Sequence, residues 1–232
     1  MVSVLITGVS KGLGNELFHQ FTERDYYVFG VTRPNESTFN FTGSKLNNYK
    51  IIQADLTEEQ SIRIMKDAIQ SHPIDLIINN AGTGGVANHL EHIHTKELSD
   101  LFNIHCLGAL RVVQAVLKNL LAAQKPIVIN INSRLGSIKE QSRKTFRHLE
   151  VSYAYRIAKA SQNMLTNCLR NEFENRIQFI SLNPGKMKTG IAQVDADLEP
   201  SLVAAEIIRQ YEEATFKEEL GISQLSNELI EW

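Results

Sequence analysis

The residues with the clearest chemical potential are a tyrosine and a lysine, Tyr155 and Lys159, which stand four positions apart. Residues at this spacing share one face of a helix. A lysine charge beside a phenol favours the phenolate and lowers a tyrosine pKa of about 10 by roughly 1–3 units, towards working pH. The pair therefore predicts a tyrosine that acts as general acid or base. Because both residue types are common on helices, the pair is informative only together with other motifs.

A glycine-rich turn at 7–14 follows directly on a short apolar run at 2–6. Glycine lets the backbone turn tightly and approach a pyrophosphate, and the start of a helix offers free N–H groups with partial positive charge. A strand, this turn and a helix in succession predict a dinucleotide-phosphate site. The candidate cofactor-binding residues of the turn are Gly8, Ser10, Lys11, Gly12, Leu13 and Gly14.

The same turn supports a competing hypothesis. Gly8, Ser10 and Gly12 match the nucleophile elbow of α/β hydrolases, with Ser10 as the nucleophile. That elbow normally follows several strands and is followed by an acid and a histidine. Here it follows the first strand, and no later Asp/His pair is evident, so the hydrolase is the weaker alternative.

Short apolar runs alternate with longer amphipathic ones along the whole chain. Strands rich in Val and Ile without polar alternation are buried on both faces, as in a parallel sheet covered by helices. The pattern predicts an α/β fold, a Rossmann-like doubly wound parallel sheet with helices on both faces, in a single domain over residues 1–232. The predicted strands are 2–6, 27–32, 51–53, 74–79, 127–131 and 178–182, and the predicted helices are 13–24, 58–70, 95–123, 152–175 and 201–214.

Polar and small residues follow several of these strands, where ligands of open α/β sheets bind. Asp55, followed by Leu56, could accept from an adenine amino group or cap the next helix, and Asn80, Ala81 and Gly82 allow close backbone approach. The stretch 134–150 is strongly basic and is either a solvated loop or a rim that prefers anionic substrates. The histidines of the 83–94 loop lack metal-site spacing, so no metal is predicted; they are His89, His92 and His94.

Composition excludes several classes of protein. The 43% hydrophobic content suits a large core, and a net charge of −2 gives no reason to expect nucleic acid or an anionic membrane as partner. No apolar stretch is expected to approach the ~20 residues that span a bilayer. Cys106 and Cys168 lie in helical patterns and indicate reduced core thiols in a cytoplasmic protein.

The turn at 7–14, Asn79-Asn80-Ala81-Gly82, Ser133 and the Tyr155/Lys159 pair, in this order, resemble the short-chain dehydrogenase/reductase family. The resemblance runs from residue 2 to about 191. The residues 153–156 make the chain similar to the compact carbonyl reductases of the C-factor and sniffer type. The resemblance implies hydride transfer between a nicotinamide cofactor and a small ketone, aldehyde or secondary alcohol, and it implies that a homodimer or homotetramer is possible.

The resemblance also implies residue roles. Tyr155 would donate the proton, Ser133 would hold the substrate oxygen, and Lys159 would lower the tyrosine pKa and hold the ribose hydroxyls. The segment after the sixth strand would lie against the nicotinamide, through Pro184, Gly185 and Thr189.

Two further positions bear on cofactor and mechanism. Relatives specific for NAD carry an acidic residue at the end of the second strand, whereas this chain has Arg33 there and Lys11 in the turn, with Glu36 close by. Two basic residues suit a 2′-phosphate, so NADP(H) is favoured over NAD(H). His105 stands three residues before Gly108, where the family places a proton-relay asparagine. It either takes over that role or adds pH dependence, or it impairs the relay. An impaired relay points to the alternative function, a catalytically silent NADP(H)-binding sensor or scaffold.

Overall fold

The computed structural model describes residues 1–34, 47–188, 196–216, 221–226 and 228–232. These residues form one twisted sheet in the order β3-β2-β1-β4-β5-β6-β7-β8, with helices on both faces. Strands β1 to β7 run parallel and β8 is antiparallel to β7. The strands are β1 Ser3–Thr7, β2 Tyr27–Thr32, β3 Tyr49–Gln53, β4 Leu76–Asn79, β5 Ile127–Ile131, β6 Gln178–Asn183, β7 Ile222–Gln224 and β8 Leu229–Ile230.

Helices connect the parallel strands as crossovers, as the alternating pattern predicts. The long helix after β4 is interrupted by a π-helical turn, Asn103–Leu107, and 3₁₀ turns stand at Leu90–His92 and Arg134–Gly136. The helices are α1 Gly12–Glu23, α2 Gln60–Ile69, α3 Thr95–Phe102, α4 Gly108–Leu121, α5 Ile138–Ser142, α6 Tyr153–Glu172 and α7 Pro200–Glu212.

The core lies in two layers, one on each face of the sheet. Successive strand residues point to opposite faces, so in β1 Leu5 packs with the layer beneath α2 and α4, while Val4 and Ile6 pack beneath α1 and α7. All five residues of β1 are buried. This burial on both faces confirms the predicted doubly wound α/β fold.

The structure departs from the predicted elements in a few places. Helix α2 begins at Gln60, so Asp55 is not its N-cap, contrary to that interpretation. Helix α5 lies inside the stretch 134–150, which was expected to be irregular, and β7 and β8 were not predicted. Cys106 is buried but Cys168 is exposed on α6, so the prediction of two core thiols was wrong for Cys168.

The helical run Thr95–Leu121 is apolar and long enough to cross a membrane, by length and composition only. The run is not one unbroken apolar stretch, because charged residues interrupt it: Lys96, Glu97, Asp100, Arg111 and Lys118. The run packs on the sheet and against α2, and 61% of its most apolar window is buried inside the protein. Burial of this kind is typical of a core helix.

Candidate active site

Tyr155 and Lys159 lie on the first turns of α6. The start of this helix contacts the 83–94 loop, because the Tyr153 amide donates to the Ala87 carbonyl oxygen. Ser152 caps this helix, because its Oγ accepts a hydrogen bond from the Tyr155 amide at 3.2 Å. Ala154 and Ala158 are buried against Leu101 of α3, where small side chains let the two helices approach closely. The capped start and this contact fix the direction in which Tyr155 leaves the helix.

Ser133 reaches the same point from the carboxyl end of β5. Its amide donates to the Asn132 side chain at 2.7 Å, and its Oγ accepts from the Leu135 amide at 3.2 Å. Ser133 lies beside the Tyr155 hydroxyl, and its hydrogen-bonding interaction with that group lowers the pKa of Tyr155. The structure thus brings the predicted serine and tyrosine together, although 21 residues and helix α5 separate them in the chain.

Asn132 is a residue of this site that sequence reasoning missed. The Oδ1 atom of Asn132 accepts from the Ser133 amide. Its Nδ2 atom donates to the Lys159 backbone oxygen at 3.3 Å and to the Asn163 side chain. Asn163 also accepts from Ser181 Oγ of β6 at 2.7 Å. This network of buried amide side chains links β5 and β6 to α6, and it therefore fixes the position of Ser133 relative to Tyr155. The one signal in the sequence is an asparagine directly before the serine.

Lys159 points into the sheet rather than at the tyrosine hydroxyl. Its Nζ donates to the Ile131 backbone oxygen at 2.7 Å and to Gln162 Oε1 at 3.1 Å, and it lies 5.8 Å from the centre of the Tyr155 ring. The side chain is buried, and this burial lowers the pKa of Lys159 to about 7. Gln162 was not predicted from the sequence as part of the site.

The expected lowering of the tyrosine pKa by this lysine is absent from the structure. Burial raises the pKa of Tyr155 to about 12, and only the hydrogen bond with Ser133 acts in the opposite direction. The physical reason is that a buried phenolate is poorly solvated, while the lysine charge is committed to Ile131 and Gln162. Tyr155 is therefore a protonated hydroxyl at neutral pH, in the state that donates a proton.

His105 occupies the centre of the π-helical turn and is only 2% exposed. Its Nε2 lies 2.8 Å from the Thr83 carbonyl oxygen and 3.4 Å from the Thr83 amide. The shorter contact favours the tautomer in which Nε2–H donates to that oxygen, which leaves Nδ1 as an acceptor. Nδ1 is buried and has no hydrogen-bond partner among the described residues. The ring stands edge-on to Tyr155, with the centroids 5.5 Å apart.

The charge state of His105 follows from its surroundings. Burial, and then the charge of Lys159, lower its pKa to about 3. The ring is neutral at physiological pH, so the expectation that it adds a titration near neutrality was wrong. Asn103, two residues earlier, donates to the Thr57 carbonyl oxygen at 3.0 Å and accepts from Arg111 at 2.7 Å. It faces away from Tyr155 and cannot replace the histidine.

The glycine turn is interlocked with the end of β4. Gly8 and Gly12 adopt φ of +72° and +59°, which side chains other than glycine rarely take. Asn80 Nδ2 donates to the backbone oxygens of Thr7 at 3.0 Å and Gly8 at 3.3 Å. Thr7 Oγ1 in return accepts from the Asn80 and Ala81 amides, each at 3.0 Å. The predicted turn residues and the Asn80–Gly82 segment thus form one cradle.

The start of α1 has the properties that bind a phosphate. The helix begins at Gly12, and Lys11 at its N-cap is extended, exposed and makes no side-chain cap bond, so the first amides stay available. Ser10 is half-buried beside them. Leu13 is buried in the core, so only its backbone can face a ligand. A Cβ on Gly14 would lie 2.2 Å from the Gly8 oxygen, which means that only glycine permits this close packing of helix and turn.

A hydrolase needs a histidine bonded to its serine. Among the described residues, no hydrogen bond joins Ser10 to a histidine; His72 bonds Ser3 Oγ and His105 bonds Thr83. The turn fits a phosphate cradle and not a nucleophile elbow.

Arg33 and Asp55 follow neighbouring strands, β2 and β3. Both lie at the carboxyl edge beside the glycine turn, which is where the prediction placed them. Although partial burial acts to raise the pKa of Asp55, hydrogen bonds from Thr57 and the charges of Arg33 and Arg111 lower it on balance. Leu56 is buried, and its carbonyl oxygen accepts from Arg111 at 3.0 Å. Asp55 is thus an ionised acceptor at this edge.

The segment expected against the nicotinamide is partly described. Pro184 is buried, Gly185 has a φ of +87°, and Leu198 would lie 2.6 Å from a Cβ at Gly185. Both residues follow the end of β6, next to Ser133 across the β5–β6 pair. Thr189 lies outside the described residues, and so does Glu36.

The basic stretch 134–150 and the end of the chain pack together. Ser137 Oγ donates to the Glu231 carbonyl oxygen at 2.5 Å, and the Lys139 amide donates to the Trp232 oxygen at 2.9 Å. Lys139 also pairs with Glu231 at 2.5 Å, and Arg143 pairs with Glu140 at 2.9 Å. Several of the basic side chains are therefore neutralised by carboxylates, which favours the solvated-loop interpretation over an anion-binding rim. Within the described part of the chain, no group of three or more His, Cys, Asp or Glu could hold a metal ion.

Comparison with known proteins supports the same assignment. Residues 3–199 match the family model for short chain dehydrogenase. A 3-amino-tetrahydro-pyrrolizinone reductase from Xenorhabdus hominickii is 33% identical over 196 residues, which are 82% of this chain and 63% of that relative. The chain thus spans about two thirds of this relative's length.

Solved structures show the same fold over the whole chain. The carbonyl reductase Sniffer of D. melanogaster aligns with a TM-score of 0.84 at 22% identity, over 100% of both chains. An NADPH-bound carbonyl reductase from chicken fatty liver aligns with a TM-score of 0.83 at 23% identity, over 99% of this chain and 98% of the other. The family model matches most of this chain, and the structure gathers the serine, the tyrosine and the lysine at the carboxyl edge of a doubly wound sheet. The chain therefore belongs to the short-chain dehydrogenase/reductase family.

Proposed function

We propose that the chain is an NADP(H)-dependent oxidoreductase that reduces a small ketone or aldehyde, with Tyr155 as the proton donor. The observation that carries this proposal is the convergence of Ser133 and Tyr155, whose hydroxyl is held protonated by burial while its interaction with Ser133 lowers its pKa. Two neighbouring hydroxyls form a site at which a carbonyl oxygen can accept two hydrogen bonds. Tyr155 would transfer its proton to that oxygen, and Ser133 would hold the oxygen in line.

The cofactor fits the residues that are present. The cradle of Gly8, Gly12 and Gly14 leaves no room for a Cβ at its closest contact and presents the uncapped amides of α1, as a pyrophosphate requires. Nicotinamide, when bound, would supply the hydride. Its adenine side would be held by Asp55 and Leu56, and its nicotinamide side by the residues after β4 and β6. The proposed cofactor-binding residues are Gly8, Ser10, Lys11, Gly12, Leu13, Gly14, Arg33, Asp55, Leu56, Asn80, Ala81, Gly82, Tyr155, Lys159, Pro184, Gly185 and Thr189.

Lys159 would have two tasks in this mechanism. Its ammonium group has three N–H donors, of which Ile131 and Gln162 take two. The remaining donor can hold the ribose hydroxyls. Because the pKa of Lys159 is lowered to about 7, the group can also return a proton towards Tyr155 after transfer.

His105 would stand in for the relay asparagine as a neutral group. Its buried Nδ1 is an acceptor without a protein partner, and the charge of Lys159 is close enough to lower the histidine pKa. A water that donates to Nδ1 would satisfy this acceptor. The alternative, a silent NADP(H)-binding sensor, has no need of Ser133, Tyr155 and Lys159 together, so the convergence of these three residues favours the enzyme.

Preference for NADP(H) over NAD(H) is supported by two cations. Arg33 ends β2 and Lys11 caps α1, so both lie at the edge where an adenosine ribose would bind, and a 2′-phosphate there would gain charge-assisted hydrogen bonds. The NADPH-bound carbonyl reductase from chicken fatty liver has the same fold and agrees with this choice. A cytoplasmic location and a homodimeric or homotetrameric state stay predictions.

The function is tested by following NADPH and NADH absorbance with a panel of aldehydes, ketones and quinones. We expect turnover with NADPH and little with NADH. The sensor would be supported instead if the protein bound NADPH but oxidised it with no compound of the panel, and if the His105→Asn variant were equally inactive.

A further inference from the structure

The segment 84–87, which leads from the cofactor cradle towards α6, is held by hydrogen bonds and not by the core. Gly84 and Gly85 have no side chain, Val86 is 90% exposed, and only the Ala87 side chain is buried. Burial of one methyl group contributes about 1 kcal/mol at most, which is too little to fix four residues of backbone. The position of this segment must therefore come from its polar contacts.

One carboxylate supplies most of these contacts. Glu97 Oε1, on the first turn of α3, accepts from the Val86 amide at 2.6 Å and from the Ala87 amide at 3.3 Å. The same oxygen accepts from Ser152 Oγ at 3.2 Å. Hydrogen bonds to an ionised acceptor are about twice as strong as those between neutral groups.

Ser152 carries this contact to the catalytic helix. While its hydroxyl donates to Glu97, its oxygen accepts from the Tyr155 amide at 3.2 Å. A second link runs in parallel, since the Tyr153 amide donates to the Ala87 carbonyl oxygen at 3.1 Å. Segment 84–87 is thus joined to the start of α6 twice at Val86 and Ala87, once through Glu97 and Ser152 and once through the Tyr153 amide.

The atoms of Glu97 and Ser152 leave no room for a side chain at residue 85. A Cβ on Gly85 would lie 2.1 Å from Ser152 Oγ and 2.5 Å from Glu97 Oε1, where real Cβ atoms do not come closer than 3.0 Å. Residue 85 must therefore be glycine for the serine and the carboxylate to meet. Thr83, the residue just before the segment, contacts His105, and the His105 ring lies edge-on to the Tyr155 ring, so the segment continues directly from the surroundings of Tyr155.

We propose that Glu97 is a positioning residue that locks segment 84–87 against the N-terminus of α6 and so fixes one wall of the carbonyl site. This inference rests on the proposed reductase function for its catalytic consequence, but not for the lock itself. Since the Ser152 cap on Tyr155 survives without Glu97, loss of the carboxylate releases the wall more than the tyrosine. The expected signature is a higher KM for the carbonyl substrate, with kcat and the NADPH affinity changed much less.

The test compares Glu97→Ala, Glu97→Gln and Gly85→Ala with Asp100→Asn. Asp100 lies on the same helix and makes only an exposed pair with Lys96, so its variant controls for loss of a carboxylate. We expect Glu97→Ala and Gly85→Ala to raise the carbonyl KM on the order of tenfold, since each removes charge-assisted hydrogen bonds. Glu97→Gln, which keeps an acceptor oxygen, should fall between them and the wild type.

Amide hydrogen exchange gives a readout that does not depend on turnover. The amides of Val86 and Ala87 should exchange on the order of tenfold faster in Glu97→Ala, while those of α6 stay protected. A lower melting temperature with KM and exchange equal to those of Asp100→Asn would overturn the proposal. The two proposals can fail separately. If the wild type turned over no carbonyl compound, the proposed function would fail, but faster exchange in Glu97→Ala would still support the positioning role of Glu97. Unchanged exchange in Glu97→Ala would refute that role whether or not the wild type is active.

Discussion

Gly14→Ala is the substitution whose effect the structure specifies most sharply. The new Cβ would lie 2.2 Å from the Gly8 carbonyl oxygen and 2.4 Å from Asn80 Nδ2, whereas real Cβ atoms keep at least 3.0 Å. The first contact is with backbone, so no rotamer change relieves it, and α1 must move by about 0.8 Å relative to the turn. Overpacking of this kind costs about 1–3 kcal/mol, from which the higher helix propensity of alanine subtracts about 1 kcal/mol.

The net loss is about 1 kcal/mol, the middle of a range of about 0–2 kcal/mol, and it corresponds to a melting temperature lower by about 2–4 °C for a domain of this size. The same movement displaces the amides of α1 from the cradle, so NADPH should bind on the order of tenfold more weakly or worse. Thermal unfolding without cofactor and a fluorescence titration with NADPH measure the two effects separately.

Gly108→Ala is the matched control, because it is the same substitution at another helical glycine. Its Cβ would meet Leu56 and Asn103 at 3.5–3.6 Å, which is ordinary van der Waals contact. We expect this variant to be unchanged or stabilised by up to about 1 kcal/mol, with normal NADPH binding. If Gly14→Ala matched the wild type in both melting temperature and NADPH affinity, the reasoning that the cradle requires close backbone packing would be refuted.

Two further predictions concern charge. Lys159 has its pKa lowered from 10.5 to about 7, so the unfolded chain binds more protons between these values and stability should rise with pH across this window. Below pH 7 Lys159 is protonated in both the folded and the unfolded state, so the full cost of burying its charge applies. Urea unfolding at a series of pH values measures this dependence, and Lys159→Met should remove the rise of stability with pH. An unchanged rise in that variant would contradict the assignment of the lowered pKa to Lys159. Arg33→Ala should raise the KM for NADPH on the order of tenfold and leave that for NADH unaltered, whereas Arg63→Ala, an exposed cation on α2, should change neither. Equal losses for both cofactors would show that Arg33 does not read the 2′-phosphate.

The parallel sheet could be predicted because its strands are unbroken apolar runs, such as the buried β1 and β4, between amphipathic helices. The last two strands, β7 and β8, could not, since three and two residues are too short to carry a pattern. The exposure of Cys168 was missed for a different reason: a helical pattern does not by itself show which face turns to solvent.

The candidate site was predictable in its residue types but not in its hydrogen bonding. Tyr155 and Lys159 share a helix as their spacing indicates, yet the lysine bonds Ile131 and Gln162. The competing acceptor is a backbone oxygen of β5, which only the packing of α6 on the sheet brings close. Glu97 shows the same limit, because nothing in its local sequence distinguishes it from the exposed Asp100 on the same helix.

The central claim is that Tyr155 gives its proton to a carbonyl oxygen held by Ser133. It is tested most directly by measuring kcat/KM for one carbonyl substrate with NADPH in the wild type and in Tyr155→Phe, with NADPH binding measured for both. We expect the phenylalanine variant to bind NADPH normally and to lose at least about a hundredfold in kcat/KM, as for removal of a general acid. Retention of most of the wild-type kcat/KM by Tyr155→Phe, with the same NADPH affinity, would contradict the account.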